Sequence, residues 1–327
     1  MAELELRKVD RWHHRRIILD ELSLKAPSGR ITALLGDDES GRLTALKVIA
    51  GIEKAQGGSI LIDGEEVLGQ REGIREAATV FRTAALMPHK TALENIAYPL
   101  RIARFDNETI EARVLAVSEH FGLADVLTLR PKKLTDVQCY QIGLARALVR
   151  DPGVYLFELP TEEDPVLRRL AIGEMKRLRD EFGRTVVYAA GTVDDVDDLA
   201  DWVVVLDEGR RLQMGSPGRI VKWPASRRVA KLFGARLRAA RVEDAGHDAV
   251  TVRLKDGAIL AIPCESDDVA AGERATLAIW PEHLDREGET VGYPPEHCYL
   301  FNERGNLVAG PAGPPPKRKS KGAARRR

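Results

Sequence analysis

Short apolar runs alternate with helical stretches along the first two-thirds of the chain. The runs at residues 30–36, 154–159 and 185–190 are almost wholly apolar, as in strands buried on both faces of a parallel sheet. Strands that alternate with helices predict an α/β domain built on a parallel sheet with helices on both faces. Further short strands are predicted at residues 59–64, 78–82 and 201–210. Helices are predicted at residues 41–51, 91–103, 108–121, 135–150 and 166–182.

The pattern changes after about residue 234. Residues 248–264 form two alternating apolar and polar runs joined at Lys255-Asp256-Gly257, which is typical of a β-hairpin. Another strand is predicted within residues 273–284, and no long helix is evident there. We therefore expect three segments: an α/β domain over residues 1–234 with a helical insert at about 84–150, a small all-β domain over 235–309, and a disordered basic tail over 310–327.

Composition narrows the class of protein to an ordinary soluble one. The chain has 327 residues, with 50 Lys and Arg against 50 Asp and Glu. The final 23 residues carry seven basic side chains and no acidic one, so the rest of the chain is acidic by seven charges. No apolar run approaches the about 20 residues of a membrane-spanning helix, and the first residues lack the apolar core of a secretion signal. The three cysteines lie too far apart for a disulfide framework or a C-x-x-C metal site, and they fit a reducing cytosol: Cys139, Cys264 and Cys298.

A glycine-rich turn follows the first buried strand and precedes the first helix. This is the layout of the G-x-x-x-x-G-K-[ST] loop, whose backbone N–H groups cradle phosphates while its Lys and hydroxyl contact phosphate oxygens and Mg²⁺. Here Arg42 takes the Lys position, Leu43 takes the hydroxyl position, and Thr44 follows. The whole segment reads Gly36-Asp37-Asp38-Glu39-Ser40-Gly41-Arg42-Leu43-Thr44.

Three carboxylates, Asp37, Asp38 and Glu39, occupy the place where phosphates would lie. One pair of like charges at about 6 Å costs about 3 kcal/mol at an effective dielectric constant near 20. That cost lowers affinity on the order of 100-fold. Two interpretations stay open: a strand–helix turn without a ligand, or a weakened phosphate site. We expect Arg42 to pair with Asp37, Asp38 or Glu158, which would stabilise the loop when it is empty.

Several long segments of the chain are diagnostic of one family. They are "LKVIAGIEKAQGGSILIDGEEV", "LMPHKTALENIAYPLRI", "GLARALVRDP", "LADWVVVLDEGR", "WPEHL" and "GYPPEHCYLFNERG". On these segments, over roughly residues 3–308, the chain resembles the ATP-binding subunits of ABC importers of the maltose and polyol type. The resemblance implies a P-loop NTPase-like ABC nucleotide-binding domain with a helical insert, followed by a small OB-like (TOBE) β-domain.

The resemblance also implies that the catalytic positions are degenerate. The family's glutamine that contacts Mg²⁺ and the attacking water falls at Arg82, and its switch histidine falls at Gly191. Its magnesium-binding aspartate and its catalytic glutamate correspond to Glu158 and Leu159. The aromatic residue that stacks on adenine corresponds to Trp12. The family signature L-S-G-G-Q corresponds to Leu134-Thr135-Asp136-Val137-Gln138.

From this resemblance we expect a degenerate ATP-binding subunit at the cytoplasmic face of the inner membrane, with little or no hydrolysis of its own. It would form a heterodimer with a second, competent ABC ATPase and couple to two membrane permeases, and through them to a periplasmic solute-binding protein. The implied cargo is a sugar, polyol or glycerol-like solute. ATP and Mg²⁺ would bind weakly, and no other cofactor or metal is expected. The permease contact falls at Pro88, His89, Glu94 and Asn95.

Two other functions stay open: an ABC ATPase that binds ATP and hydrolyses it slowly, and a scaffold unconnected with transport. Single features also have plainer interpretations. Trp12 can be a packing residue and His89 an exposed loop histidine. The tail is expected to be a solvated arm with no specific nucleic acid, although its charge suits anionic lipid or RNA. The β-domain is short, since only residues 285–291 separate two of the family's segments. A cluster of carboxylates is expected to be a solvated helix face rather than a metal site: Asp194, Asp195, Asp197, Asp198 and Asp201.

Overall fold

A computed structural model describes residues 2–70, 75–197, 199–246, 248–263, 268–280 and 297–310 of the chain. The chain divides into two units, Met1–Pro217 and Gly218–Arg327. This division lies N-terminal to the boundary expected near residue 234. Within the described residues, no helix is long and apolar enough to cross a membrane.

The first unit contains the predicted alternation of strands and helices, with ends that differ from the predicted ones by a few residues. Its strands are β1 (Leu4–His13), β2 (Arg16–Ala26), β3 (Ile31–Leu35), β4 (Gly57–Ile62), β5 (Glu65–Glu66), β6 (Ala77–Val80), β7 (Val154–Glu158), β8 (Thr185–Ala190), β9 (Trp202–Asp207) and β10 (Arg210–Gly215). Its helices are α1 (Arg42–Ala50), α2 (Ala92–Ile102), α3 (Asn107–His120), α4 (Asp136–Leu148) and α5 (Pro165–Asp180), with 3₁₀ turns at Ala124–Val126 and Pro131–Lys133.

The central sheet has the strand order β10-β9-β3-β8-β7-β6. The strands from β9 to β6 run parallel, and β10 is antiparallel to β9. β3 and β8 are buried along their whole length, as expected of strands in the middle of a covered parallel sheet. Because the strands are parallel, the loops after β3, β7 and β8 leave the same edge of the sheet. The candidate site lies at that edge.

The sequence pattern does not predict the N-terminal hairpin of β1 and β2. These strands belong to an antiparallel sheet of order β2-β1-β4-β5. The buried residues Leu4, Leu6 and Val9 change spacing where the register of β1 shifts, and Lys8 there has a φ of 49°. A bulge of this kind breaks the alternation that would identify a strand. The apolar side chains of this sheet share one core with α1 and the central sheet.

The second unit is dominated by an antiparallel sheet of order β13-β12-β11-β14-β15-β16. The predicted hairpin is confirmed: β12 pairs with β13 around a turn in which Gly257 has a φ of 92°. Residues 285–291 and the tail beyond residue 310 lie outside the described residues. The strands are β11 (Arg236–Ala245), β12 (Ala249–Leu254), β13 (Ile259–Pro263), β14 (Arg274–Ile279), β15 (Tyr299–Phe301) and β16 (Leu307–Ala309), with short helices α6 (Pro217–Lys222) and α7 (Arg227–Leu232) before them.

A buried arginine closes the C-terminal end of α1. Arg75 is 3% exposed, and its Nη1 donates to the carbonyl oxygens of Val48 at 2.8 Å and Ile49 at 2.7 Å. Its other nitrogens donate to the carbonyl oxygens of Leu68 at 3.0 Å and Gln70 at 2.9 Å. The last carbonyls of a helix have no partner within the helix, so a buried cation there supplies both hydrogen bonds and favourable charge. This side chain therefore fixes α1, and with it the loop that precedes α1.

We predict that Arg75→Met lowers the free energy of unfolding by about 3 kcal/mol, because it removes four hydrogen bonds that a buried side chain donates to carbonyl oxygens. Urea unfolding followed by circular dichroism measures the change. The control is Arg101→Met on the exposed surface of α2, which should change the free energy by less than about 0.5 kcal/mol. Equal effects of the two substitutions would contradict the structural role assigned to Arg75.

Candidate functional site

The loop between β3 and α1 has the backbone layout of a phosphate-binding loop. Gly36 follows β3, and its N–H donates to the carbonyl oxygen of Ala190 at 3.2 Å. The buried Ser40 hydroxyl donates to the carbonyl oxygen of Asp37 at 2.6 Å. Gly41 takes a left-handed conformation at the N-cap of α1, which has no side-chain cap. In the first turn of α1, the N–H of Arg42 donates to Ser40 Oγ at 3.4 Å, so the buried serine stands in for a side-chain cap.

The cation of this loop is engaged by one of the loop's own carboxylates. Arg42 Nη2 donates to Asp38 Oδ1 at 2.7 Å, which selects Asp38 from the three partners expected. The Arg42 side chain is 12% exposed, whereas Asp38 lies almost wholly in solvent. Arg42 Nη1 is buried and has no hydrogen-bond acceptor within the described residues. Glu39, the third carboxylate of the loop, is exposed and lies 3.4 Å from Arg16.

The position that supplies a hydroxyl ligand for Mg²⁺ in this type of loop holds an apolar side chain. Leu43, at the position of the hydroxyl ligand, packs against the hydrophobic core and offers no oxygen. Thr44, the next residue, is half-buried within α1. Mg²⁺ requires oxygen ligands in near-octahedral geometry, so loss of the hydroxyl removes one of its protein anchors. The backbone still suits a phosphate group, but its side chains oppose a magnesium nucleotide.

The residue that follows β7 carries no group that could activate water. Glu158 is half-buried at the end of β7, and Leu159 after it is 9% exposed and apolar. Arg82 lies exposed in the segment that follows β6. Burial, reinforced by the charge of Glu158, raises the pKa of the nearby Tyr140, whose hydroxyl has no hydrogen-bond partner in the described part of the chain. General-base catalysis needs a titratable group within reach of the water, and Leu159 provides none.

An ion pair ties together the loops that follow β7 and β8. Gly191 and Thr192 donate their N–H groups to Asp195 Oδ2 at 2.8 and 3.2 Å. The other oxygen of Asp195 accepts from Arg168, and Arg168 Nη1 donates to the carbonyl oxygen of Pro160 at 3.2 Å. Both charged side chains are mostly buried. These contacts within the chain therefore fix the conformation of the loop at Gly191.

This arrangement corrects the interpretation of the aspartate cluster as a solvated helix face. The segment around Asp195 forms turns, not a helix. Asp201 Oδ2 accepts the N–H of Ile31 at 2.9 Å, so this aspartate anchors the start of β3. Asp194 and Asp197 are exposed, and Asp198 lies outside the described residues. In the described ranges, no group of His, Cys, Asp or Glu side chains is placed to hold a metal ion.

The signature segment forms the N-terminus of α4. Thr135 Oγ1 accepts the N–H of Gln138 at 3.2 Å, and Gln138 Oε1 accepts the N–H of Thr135 at 3.0 Å. This is a capping box, for which the pattern T-x-x-Q at residues 135–138 is the sequence signal. Asp136 is exposed in the first turn, and Leu134 and Val137 are half-buried. The polar groups of the signature are thus used to cap α4.

The expected permease-contact residues differ in their accessibility. Pro88 and His89 are exposed. Glu94 accepts the N–H of Thr91 at 2.8 Å in a second capping box, and this bond holds the pKa of Glu94 below its usual value. Asn95 is fully buried: its Oδ1 accepts the N–H of Met87 at 2.8 Å, and its Nδ2 donates to carbonyl oxygens of the same loop. Asn95 shapes the loop from within and offers no surface group.

Trp12 lies at the end of β1, opposite Ile17 of β2. Its indole is 49% exposed, so it is not a core side chain. Its backbone N–H donates to Gln56 Oε1 at 3.0 Å, which fixes the strand without covering the ring. The ring is therefore available for stacking on an aromatic ligand.

Known proteins resemble this chain in sequence. The profile of the ABC transporter family matches residues 19–162. The sn-glycerol-3-phosphate import ATP-binding protein UgpC of Chromobacterium violaceum is 33% identical over 296 residues, covering 88% of this chain and 79% of the relative. The maltose/maltodextrin import ATP-binding protein MalK of Escherichia coli K12 is 32% identical over 290 residues, covering 87% and 78%.

Solved structures resemble the chain in fold. The crystal structure of a nucleotide-free ATP-binding cassette from an ABC transporter superposes with a TM-score of 0.60 at 19% identity, covering 71% of this chain and 99% of that one. The structure of cbiO1 from Clostridium perfringens, part of the ABC transporter complex cbiONQ, gives a TM-score of 0.57 at 24% identity, with coverages of 66% and 89%.

We predict that Asp195→Asn lowers the free energy of unfolding by about 2 kcal/mol, because Arg168 loses its charged partner in a mostly buried position. The neighbouring exposed Asp194→Asn is the matched control and should change it by less than about 0.5 kcal/mol. Denaturant unfolding measures both variants. If Asp195→Asn proves as stable as its control, the ion pair does not hold the two loops.

Proposed function

Because this chain belongs to the family of ABC transporter ATP-binding subunits, we propose that it is the degenerate nucleotide-binding subunit of a solute importer. It completes a heterodimer with a second, catalytically competent ATPase and transmits closure of that dimer to two membrane permeases. Its place is the cytoplasmic face of the inner membrane, and a periplasmic solute-binding protein delivers the cargo to the permeases. The names of the relatives favour a sugar, a polyol or a glycerol-like solute as cargo.

The Arg42–Asp38 ion pair carries this proposal. In a phosphate-binding loop the cation reaches toward the nucleotide, whereas here it is already neutralised by a carboxylate of the same loop at 2.7 Å. A nucleotide would have to break this pair and enter beside Asp38 and Glu39. Leu43 supplies no hydroxyl for Mg²⁺ to offset that cost. A loop that satisfies its own charge supports a subunit that keeps its shape without bound nucleotide.

The residues that follow β7 and β8 support the proposed loss of hydrolysis. The position of the catalytic glutamate is the buried, apolar Leu159. The position of the family's switch histidine is Gly191, which has no side chain to sense a ligand. Its backbone N–H donates to Asp195. General-base and electrostatic contributions are each worth orders of magnitude in rate. A chain without them contributes little hydrolysis of its own.

The same losses favour a heterodimer over a pair of identical chains. In the family, two subunits meet head to tail, and each signature closes over the nucleotide of the other. Two copies of this chain would contain no site with a catalytic glutamate. The Thr135 and Gln138 side chains are used to cap α4, and Asp136 places a negative charge at the helix N-terminus. A second ATPase would therefore supply the hydrolysing site, opposite a modified signature.

A surface groove supports the contact with permeases. A hollow of about 490 Å³ lies beside the loop that Asn95 holds, between β6, α2 and α4. Its lining includes the exposed apolar side chains Tyr98 and Ile102, which are 40% and 49% exposed. Exposed apolar patches of this kind mark sites of protein association. A short helix of a permease is the occupant that the family resemblance favours.

One observation favours the alternative of an ATPase that binds ATP and hydrolyses it slowly. Arg42 Nη1 is buried and has no acceptor among the described residues, and a buried unpaired donor is costly unless a ligand satisfies it. A phosphate oxygen entering the loop could accept from this nitrogen while Nη2 keeps Asp38. Binding measurements separate this alternative from the first proposal.

We predict that the chain binds a fluorescent ATP analogue with Mg²⁺ no more tightly than about 1 mM. Asp38→Asn should strengthen binding about 10- to 100-fold, because it releases Arg42 and removes a like charge. Asp194→Asn, which removes an exposed carboxylate from another loop, should leave the affinity unchanged. Micromolar binding by the unaltered chain that disappears in Arg42→Ala would contradict the empty loop and support the slow ATPase.

We predict that affinity purification of the chain in detergent recovers permeases and a second ATPase, and that Ile102→Asp lowers recovery of the permeases at least about tenfold. A charge in the groove must be desolvated on docking, which costs several kcal/mol when it stays unpaired. Leu115→Asp is the matched control, because Leu115 of α3 is 55% exposed and lies outside the groove. Recovery of neither partner from the unaltered chain would favour the scaffold function.

A further inference from the structure

Three arginines stand side by side across neighbouring strands of the second unit. Arg241 of β11 is directly opposite Arg253 of β12 on one side and Arg274 of β14 on the other. All three side chains are exposed. Residues directly opposite in antiparallel strands project from the same face with their Cβ atoms about 5 Å apart, and like charges in such pairs are destabilising. The row therefore carries a repulsion that a bound anion would relieve.

The row borders a hollow of about 940 Å³ in the same unit. Ala239 and Thr276 pair with each other two residues along from Arg241 and Arg274, so they lie on the same face as the row. Their side chains are short enough to leave the space of the hollow. Lys255 at the end of β12 and Arg227 of α7 also line the hollow. We call this hollow, defined by Arg227, Ala239, Arg241, Arg253, Lys255, Arg274 and Thr276, the arginine basin.

Among the described residues, the positive charge of the arginine basin is not balanced by carboxylates. The lining contains five basic side chains but only two carboxylates, those of Glu243 and Glu303. Glu243 lies 2.5 Å from Arg253 and neutralises that member of the row. Arg241 donates through Nε to the carbonyl oxygen of Gly272 at 3.2 Å, a contact that leaves its charge unpaired.

The remaining cations of the basin have no carboxylate partner. In the ranges that the structure describes, neither Arg274 nor Lys255 makes an ion pair. Their charges therefore face the hollow together with that of Arg241. A site with several unpaired cations around an open space favours an anionic ligand over a neutral one.

We propose that the arginine basin binds a small polyvalent anion of the organic phosphate or polycarboxylate class. Arg241 and Arg274, the two members of the row without a carboxylate partner in the described residues, stand on adjacent strands, which lie about 4.8 Å apart. A ligand with two or more anionic groups can pair a separate group with each guanidinium group, and it brings more negative charge to the basin than a single orthophosphate does. Guanidinium groups bind phosphate and carboxylate oxygens in a bidentate manner. The site lies in the second unit and is independent of the loop at Arg42.

Calorimetric titration of the full chain with pyrophosphate, citrate and orthophosphate, at constant ionic strength, tests the proposal. Pyrophosphate and citrate should bind at least tenfold more tightly than orthophosphate. Arg241→Ala and Arg274→Ala should each weaken the binding of pyrophosphate at least tenfold. Arg238→Ala is the matched control: Arg238 is exposed on the same strand, but its odd separation from Arg241 places it on the other face. It should bind as the unaltered chain does.

Thermal unfolding without added anion provides a second measurement that a damaged fold would not mimic. Arg274→Ala should leave the melting temperature equal or raise it, because the substitution removes one of the like charges in the row. Arg42→Ala should keep full pyrophosphate affinity, which separates the arginine basin from the loop between β3 and α1. Failure of the anion-binding proposal can therefore be distinguished from failure of the proposed transport role.

Three outcomes would overturn the proposal. Equal responses to all anions at matched ionic strength would indicate nonspecific screening. Loss of pyrophosphate binding in Arg42→Ala alone would place the anion in the other unit. A glutamate-rich peptide that binds more tightly than any small anion would identify the basin as a contact for an acidic protein instead.

Discussion

Two close backbone approaches hold the loop between β3 and α1 in shape. A Cβ atom added at Gly36 would lie 2.7 Å from the carbonyl oxygen of Leu206, and one at Gly41 would lie 2.7 Å from that of Ile18. Gly41 also has a φ of 85°, which favours glycine. Neither contact involves a ligand. The loop therefore takes the geometry of a phosphate cradle because it packs against β9 and β2, although three of its side chains are carboxylates.

On this backbone, the groups at positions that contact a nucleotide in the family bind other residues of this chain. Arg42 is paired with Asp38, and the N–H of Gly191 is bound to Asp195. Thr135, at the N-terminus of α4, is used as a helix cap. In the proposed role, each of these contacts within the chain takes the place of an interaction with ATP. A subunit with these internal contacts does not need bound ATP to order its site. It can therefore occupy its position in a dimer without nucleotide, which agrees with the proposed structural role.

The zero net charge of the chain conceals opposed local charges. Asp37, Asp38 and Glu39 lie exposed in the loop of the first unit, where a phosphate would need cations. The second unit places a row of arginines around a hollow instead. Local potential and not total charge decides which ligands approach a site, because screening limits the reach of surface charges to about 10 Å. The two units therefore differ in the ligands that they favour.

The sequence by itself determined the elements whose pattern is regular: β8 as a continuous apolar run, α2 at helical spacing, and the glycines that define the loop. It also limited the partner of Arg42 to a few carboxylates. Only the tertiary structure decided the rest. The bulge in β1 hides that strand from period-two patterns, and the buried role of Asn95 depends on a loop folding over it. The partners of Asp195 and of the arginines in the row are distant in sequence. The tertiary structure brings these residues together, and no local sequence pattern encodes the contacts.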